Sequence, residues 1–253
     1  MKTLTKKEIL ILTMRTFFIR IFYNYKNLFG IGLSYCLLPV GKKSFWTETN
    51  KKDFLQRHFS FFNTSIYLSG FAVGIAIKME ESGEYDKLVE LKKALSGTLG
   101  AIGDNLVNKI ILPLMIFSSL NMFVIHEFKL DTFALYFILS LVLVFNIFNF
   151  SIRYYGISKG YLLGQRSLAI FKSKKYKTIL RSLSFTRDIL AAFLVINLLT
   201  RIKLPVYNYL YLLNLTFSIL LFFYIVKYLP ALFRELALIS AILFYLIFYI
   251  YNL

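Results

Sequence analysis

The amino-acid sequence predicts an all-α, polytopic helical membrane protein, and three observations support this fold class. The 253 residues are 58% hydrophobic and only 17% charged, whereas soluble domains are roughly 45–50% apolar and about 25% charged. Several apolar runs approach or exceed the length of about 20 residues that a helix needs to cross the hydrocarbon core. The formal net charge of +17 lies mostly in the segments that flank those runs, which is typical of cytoplasmic loops. This composition excludes a disordered chain and argues against a water-soluble enzyme.

The N-terminal segment, residues 1–27, predicts an amphipathic helix. Thr5 and Glu8 have capping-box spacing, which indicates a helix start. Apolar residues then recur at helical spacing, while Lys6, Lys7 and Arg20 lie on other faces; the apolar set is Leu10, Met14, Phe17, Phe18, Ile21, Phe22 and Tyr25. A basic amphipathic helix of this kind lies in the membrane interface. An ordinary helix packed on the protein's own cytoplasmic side fits the pattern equally well.

Three uncharged runs are long enough to be membrane spans, namely 132–152, 204–226 and 236–253. The first is the main span, and residues 189–253 form the predicted C-terminal hydrophobic helices. Two other runs are weaker. Run 110–125 contains Pro113, and run 189–200 has only 12 residues. The shorter run fits a half-helix, a re-entrant segment or a span completed by neighbouring helices.

Residues 51–113 contain the polar, glycine-rich core motifs. The stretch 60–77 is uncharged but includes Asn63, Thr64, Gly70 and Gly74, which makes it too polar for a lipid-facing helix. We interpret it as re-entrant backbone at membrane depth that packs against protein. Acidic residues beside such backbone often line a water-filled site, which points to Glu80 and Asp104. A solvated acidic helix over residues 80–90, balanced by nearby lysines, is the competing interpretation.

The basic segment 153–188 predicts the topology. It contains nine Lys and Arg residues and one acidic residue, Asp188, so the positive-inside tendency places it in the cytoplasm together with the N-terminus. The linker between His126 and Asp131 then lies outside. No Ser/Gly-rich linker and no long repeat divides the chain, so we expect residues 1–253 to form a single membrane domain.

Neither a catalytic site nor a metal or cofactor site is expected. A single cysteine, Cys36, excludes an internal disulfide framework, and the chain has no GxxxxGK[ST], GxSxG or HExxH motif. His58 has no carboxylate near it in the sequence, so we interpret it as structural rather than catalytic. Nucleic acid is not an expected partner, because the positive charge lies mainly beside the apolar runs.

Five motifs, in order along about two thirds of the chain, resemble one family of bacterial membrane proteins. They are NYKNLFGIGLSYCLLP at 24–39, RHFSFFNTS at 57–65, KMEE at 78–81, KKALSGTLGAIGD at 92–104 and RYYGISKGYLLG at 153–164. Together they are similar to the IID component of the mannose/fructose/sorbose family of the bacterial phosphoenolpyruvate-dependent sugar phosphotransferase system.

The resemblance implies a multi-pass subunit of a hexose transporter in the bacterial plasma (inner) membrane. Such a subunit forms the translocation path with a IIC subunit in an oligomeric complex. Cytoplasmic IIA and IIB proteins carry the phosphate, so no catalytic or phospho-accepting residue is expected here. Carried over residue by residue, the substrate-binding residues are Asn63 and Thr64 of FFNT, Glu80 of MEE and Asp104 of GIGD.

The sequence departs from the family pattern close to these residues. Between the Asp and the Pro the family usually has an aromatic residue, a Trp and an Arg, and here Val107, Asn108 and Leu112 stand in that stretch. These departures motivate an alternative hypothesis. In it, the chain is a diverged regulatory or scaffolding membrane subunit without sugar transport, and its basic segment docks a soluble phosphotransferase protein.

Overall fold

The computed structural model describes residues 4–41 and 50–201, and in these residues it contains helices and short connections but no β-strand. The α-helices are α1 (Lys6–Phe17), α2 (Gly30–Val40), α3 (Asn50–Phe59), α4 (Ser69–Ser82), α5 (Tyr85–Gly103), α6 (Leu112–Ile125), α7 (Thr132–Leu163) and α8 (Lys174–Arg201). Shorter 3₁₀ segments cover Ile19–Phe22 and Gly164–Lys172, and a π-helix covers Asp104–Ile111. The all-α prediction is confirmed. The predicted spans 204–226 and 236–253 lie outside the described residues.

Helix α1 begins with the predicted capping box, in which the Thr5 amide donates to Glu8 Oε2 at 2.8 Å and the Glu8 amide donates to Thr5 Oγ1 at 3.3 Å. One face of the helix, which includes Leu12 and Thr16, is buried against α2 and α7. Most of the apolar stripe predicted from the spacing is exposed, with Met14 at 52%. The helix therefore packs against its own protein on one side and presents apolar side chains on the other.

Helices α4 and α7 form the closest helix pair because both carry glycines where they cross. A Cβ atom at Gly74 would overlap the Ile157 carbonyl oxygen, and one at Gly160 would lie 2.7 Å from the Phe71 carbonyl oxygen. Small residues at such crossings let two backbones approach closely. All residues from 68 to 77 are buried. The second half of the stretch 60–77, which looked too polar for lipid, is thus enclosed by protein.

Helix α7 continues past the predicted span end at residue 152, so the basic segment 153–188 begins inside a helix. Arg153 is only 3% exposed, whereas the sequence placed it among the cytoplasmic charges. Its Nε donates to Asn149 Oδ1 at 2.8 Å, and its NH1 donates to the Thr16 carbonyl and, at 3.4 Å, to Ser69 Oγ. The guanidinium also lies 4.4 Å from the Phe17 ring centroid. Arg153 therefore connects α7 to α1 and α4.

Pro113 does not end the helix that contains it, in contrast to the short span expected over 110–125. Helix α5, the π-helix and α6 run on continuously, because their junction residues keep right-handed helical angles. A helical proline leaves the carbonyl four residues earlier without its usual donor. Here that carbonyl belongs to Lys109, and Arg187 NH1 of α8 donates to it at 2.6 Å.

Two continuous helices among the described residues are long and apolar enough to cross a membrane. They are Lys92–Ile125, with mean hydropathy 1.6, and Thr132–Lys172, with mean hydropathy 2.2. The 12-residue run at 189–200 is the C-terminal part of α8. It is therefore not a separate short helix.

The glycine contact between α4 and α7 yields a stability test. We expect Gly74→Ala to lower the free energy of unfolding by about 1–3 kcal/mol, because its new methyl group overlaps α7 backbone that cannot move aside cheaply. The matched control is Gly97→Ala on α5, where an added Cβ meets no atom within 4 Å. Thermal unfolding of both purified variants in the same detergent measures the difference. Equal midpoints would contradict a tight α4–α7 crossing.

Candidate functional site

The loop over residues 60–68 carries two of the expected site residues and is held on both sides. On one side, the Phe29 amide donates to the Phe62 carbonyl at 2.8 Å, and the Phe62 amide donates to the Asn27 carbonyl at 3.2 Å. On the other side, the Asn63 amide donates to Ser96 Oγ of α5 at 3.1 Å. These contacts fix the backbone at Asn63 and next to Thr64.

Beside this loop, four charged or titratable side chains from α3, α4 and α5 form what we call the Glu80 cluster: Arg57, His58, Glu80 and Lys92. Arg57 binds the Glu80 carboxylate with two parallel hydrogen bonds, Nε to Oε1 at 3.1 Å and NH2 to Oε2 at 3.0 Å. Such paired contacts are among the stronger charge-assisted hydrogen bonds. His58 Nε2 lies 2.9 Å from Glu80 Oε1. The guanidinium also stacks 4.1 Å from the Tyr85 ring centroid.

Lys92 completes the cluster by capping the C-terminal end of α3. Its ammonium group donates to the carbonyl oxygens of Arg57 at 2.9 Å and His58 at 3.3 Å, and to Ser60 Oγ at 2.8 Å. All three N–H donors are thus used, although the residue is only 2% exposed. A cation at this position also interacts favourably with the helix dipole. Lys92 therefore joins α5 to α3, as Glu80 joins α4 to α3.

Burial and the neighbouring charged groups determine the protonation states of His58 and Glu80. Burial lowers the pKa of His58 below its ordinary 6.5, and this desolvation outweighs the hydrogen bond and charge of Glu80. The neutral ring donates Nε2–H to Glu80, and its Nδ1 is buried without a hydrogen-bond partner among the described residues. Burial acts to raise the pKa of Glu80, but the hydrogen bonds from His58 and Arg57 prevail and hold it below its ordinary 4.5.

The four residues expected from the sequence lie in different surroundings. Asn63 is exposed, whereas Thr64 is 5% exposed and its hydroxyl oxygen has no hydrogen-bond partner among the described residues. Glu80 is 3% exposed and bound by the cluster. Asp104 is exposed at the start of the π-helix and accepts from Asn108 Nδ2 at 3.0 Å.

The contacts along helix α5 show how far apart these four residues lie. Its contacts with the loop begin at Lys92, continue at Ser96 and end at Gly103, where the backbone lies against Ser65. Asp104 follows Gly103 and is 12 residues beyond Lys92, a rise of about 18 Å along a helix. The Glu80 and Asp104 ends are therefore too far apart for one small solute to contact both at once, so the four residues do not form a single pocket.

Arg57, His58 and Lys92 were not among the residues expected from the sequence, yet they hold the site together. For Lys92 the sequence contains a usable signal. It occupies the same helical stripe as Leu88, Leu95 and Leu99, all of them buried, whereas Lys93 lies off that stripe and is exposed. A lysine inside an apolar stripe indicates a buried ammonium group that needs partners.

The polar groups of this site can form hydrogen bonds with a solute. His58 Nε2 contacts Glu80, and its Nδ1 is buried without a partner among the described residues, as is the Thr64 hydroxyl oxygen. Over residues 4–41 and 50–201, no three His, Cys, Asp or Glu side chains lie close enough to hold a metal ion. The amide of Asn63, the hydroxyl of Thr64 and the carboxylate of Asp104 can donate to or accept from a neutral polar solute.

Comparison with known proteins identifies related sequences over nearly the whole chain. The family model described as "PTS system mannose/fructose/sorbose family IID component" matches residues 3–251. The fructose permease IID component of Bacillus subtilis is 28% identical over 173 residues, which are 66% of this chain and 60% of that protein. The mannose-specific EIID component of Escherichia coli is 25% identical over 171 residues, 64% of this chain and 58% of that one. The matches thus span about three fifths of the length of these curated relatives.

Solved membrane-protein structures share the fold. A structure described only as a membrane protein aligns over 94% of this chain and 95% of its own, with a TM-score of 0.65 and 18% identity. The mannose transporter ManYZ, solved in complex with a microcin, aligns over 77% of this chain and 71% of its own, with a TM-score of 0.55 and 20% identity. At these identities the alignments establish the arrangement of helices.

The ion pair between Glu80 and Arg57 predicts that neutralising one partner strongly lowers the stability of the fold. We expect Glu80→Gln to lower the free energy of unfolding by about 3 kcal/mol, because it leaves a guanidinium with one fifth of its surface exposed and no counter-charge. Glu90→Gln, at an exposed position on α5, should change it by less than about 0.5 kcal/mol. Thermal unfolding in detergent compares the two. Similar midpoints for both variants would show that the cluster contributes little.

The lowered pKa of His58 predicts a dependence on pH. A group whose folded-state pKa is depressed contributes stability that is present above its unfolded value, 6.5 for His58, and is lost as pH falls. The pKa of Glu80 is also lowered, so its contribution to folding stability likewise falls as the pH falls, but only below pH 4.5. Between about pH 7.5 and 5, we expect the unfolding midpoint to fall, and His58→Gln to flatten this slope. His126→Gln is the control and should keep it. A wild-type midpoint independent of pH would contradict a buried neutral His58.

Proposed function

This chain belongs to the mannose/fructose/sorbose family of phosphotransferase-system IID components, and we propose that it forms half of a sugar translocator in the bacterial plasma membrane. In this proposal a IIC subunit supplies the other half of the translocation path. Cytoplasmic IIA and IIB proteins phosphorylate the hexose, so this chain provides passage and no catalysis. The observation that carries the proposal is the family match over residues 3–251.

We assign the sugar path to the side of α5 that faces the loop over residues 60–68. Thr64 supports this assignment, since a buried hydroxyl without a partner among the described residues is costly and a sugar hydroxyl would satisfy it. Asn63 and Asp104 both present exposed polar groups, and Asp104 directly follows Gly103, which lies against Ser65 of the loop. Sugar hydroxyls both donate and accept, so amide, hydroxyl and carboxylate groups suit them.

Glu80 has a different role in this proposal from the other three residues. Its two oxygens are already bound by Arg57 and His58, so few acceptor sites are left for a solute. Glu80 fixes the C-terminal end of α3, from which the loop over 60–68 departs. It therefore positions the path, while Asn63, Thr64 and Asp104 line it.

One observation favours a second candidate function, a regulatory or scaffolding subunit without transport. Asn108, one of the residues that depart from the family pattern, donates to Asp104 Oδ1 at 3.0 Å. This contact occupies an acceptor that the path would otherwise offer to a sugar. In that case the chain keeps its fold and its IIC contact, and the exposed lysines near the start of α8 would dock a soluble phosphotransferase protein.

Uptake measurements separate the two functions. In cells that contain all partner subunits, we expect Asn63→Ala and Asp104→Ala each to abolish uptake of radiolabelled hexose, because each removes a polar contact from the path. Glu90→Gln, an exposed change elsewhere on α5, should leave uptake unchanged.

Membrane levels of each variant are measured by immunoblot, so that loss of protein is not mistaken for loss of transport. Unchanged uptake kinetics in both alanine variants would remove these residues from the path. If the wild-type chain gives no uptake of any hexose tested but still copurifies with its IIC partner, the scaffolding function is supported instead.

A further inference from the structure

The side of α1 that points away from the protein is apolar. Its exposed side chains recur at helical spacing and form what we call the α1 outer face: Leu10, Ile11, Met14, Phe17 and Phe18. The buried residues Leu12, Thr13 and Thr16 lie on the opposite side of the helix. An exposed apolar patch of this kind marks a surface that meets a membrane or another protein.

The apolar surface continues into the turn that follows α1. Ile21 and Tyr23 are exposed, and Tyr25 is 95% exposed. The two tyrosine rings lie edge-on, with their centroids 6.3 Å apart. Tyrosine is enriched where a membrane meets water, because its ring is apolar and its hydroxyl is polar. The surface therefore ends in two side chains that are suited to a membrane boundary.

Basic side chains border the α1 outer face. Two lie in the first turn of α1 and two follow the helix, and all four are exposed: Lys6, Lys7, Arg20 and Lys26. Between residues 4 and 28 the one acidic residue is Glu8, whose carboxylate accepts hydrogen bonds from the Thr5 amide and hydroxyl. Lysine is depleted in protein–protein interfaces, whereas anionic lipid headgroups attract Lys and Arg. The charges therefore favour an anionic lipid surface over another protein.

The contacts of α1 with α7 place its C-terminal end near a membrane boundary. The uncharged run 132–152 of α7 rises about 31 Å, close to the roughly 30 Å of the hydrocarbon core, so Arg153 lies just beyond that core. The Thr16 carbonyl accepts from Arg153 NH1, and the Phe17 ring packs against the same guanidinium. With 12 residues, α1 is also too short to cross a membrane. Phe17, at the end of the α1 outer face, is therefore at the depth of the lipid headgroups.

We propose that the α1 outer face and the turn after it insert into the anionic lipid surface on the cytoplasmic side of the membrane. The apolar side chains enter the lipid, Tyr23 and Tyr25 lie at the boundary with water, and the four basic residues contact lipid phosphates. The Arg153 contact joins this anchor to α7. The α1 outer face contains no residue of the Glu80 cluster or of the proposed sugar path, so its test does not depend on transport.

Spin labelling of the full chain tests where the α1 outer face lies. Cys36, which is buried, is replaced by Ala, and a nitroxide label is attached to the variant Met14→Cys. The matched control is Glu90→Cys, at an exposed charged position on α5. In vesicles of phosphatidylglycerol and phosphatidylcholine, we expect the label at position 14 to collide mainly with oxygen, which concentrates in lipid. The label at position 90 should collide mainly with a water-soluble nickel complex. Size-exclusion profiles verify that each variant is folded.

The contribution of the charges is tested by replacing Lys6 and Lys7 with Gln together. Raising phosphatidylglycerol from none to half of the lipid should increase the ratio of oxygen to nickel collisions at position 14 about threefold, because the lysines draw α1 towards anionic headgroups. The double replacement should remove this increase. Lys174 and Lys175, also an exposed pair in the first turn of a helix, provide the control when replaced in the same way, and the increase should then remain.

Three results would overturn the proposal. The label at position 14 meets the nickel complex as readily as the label at position 90, its collision ratio does not depend on phosphatidylglycerol, or a bound IIC subunit shields it from both oxygen and nickel. The last result would show that the α1 outer face is a subunit interface, and this arm alone rests on the proposed partnership with IIC. Loss of hexose uptake in any of these variants would concern the proposed function and not the lipid contact.

Discussion

The arrangement of α3, α4 and α5 depends on the hydrogen bonds that the Glu80 carboxylate accepts. A buried carboxylate is tolerated only where hydrogen bonds and an opposite charge replace water, and Arg57 and His58 supply both. Lys92 then closes the group by capping the end of α3. Because each of these partners comes from a different helix than Glu80, none of the three helices can shift without leaving a buried charge unpaired. These contacts also restrict the loop that carries Asn63 and Thr64, because that loop begins at the end of α3.

A second constraint, close approach of backbones, fixes α4 against α7. The glycines at positions 70, 74, 156 and 160 leave no room for side chains at the crossing. Beside that crossing, the hydrogen-bond partners of Arg153 within residues 4–41 and 50–201 are Asn149, Ser69 and the Thr16 carbonyl, all of them neutral acceptors. The contact with Thr16 places the end of α1 against the core. Both constraints act inside one unit, residues 1–199, so the glycine crossing and the Glu80 cluster jointly position α4.

Most of the fold class and part of the site could be predicted from the sequence. The uncharged run 132–152 predicted the first part of α7, and Thr5 with Glu8 predicted the start of α1 correctly, because these signals are local. The burial of Arg153 and the pairing of Glu80 with Arg57 were not predicted. Arg57 and Glu80 are 23 residues apart, and no local rule states which distant side chain a charge will meet. The continuity of the helix through Pro113 was missed for the same reason, since the donor to the Lys109 carbonyl is Arg187, far along the chain.

These contacts give α5 and its continuation two different ends. At the Lys92 end, three hydrogen bonds tie the helix to the end of α3 and to Ser60. At the other end, Asp104 opens a π-helix of eight residues that leads to Pro113, and π-helical segments are rare and frequently lie at functional sites. The loop meets α5 between these two ends, because the Asn63 amide donates to Ser96 Oγ and Gly103 lies against Ser65. The residues proposed to line the path therefore lie between the Lys92 contacts and the π-helix.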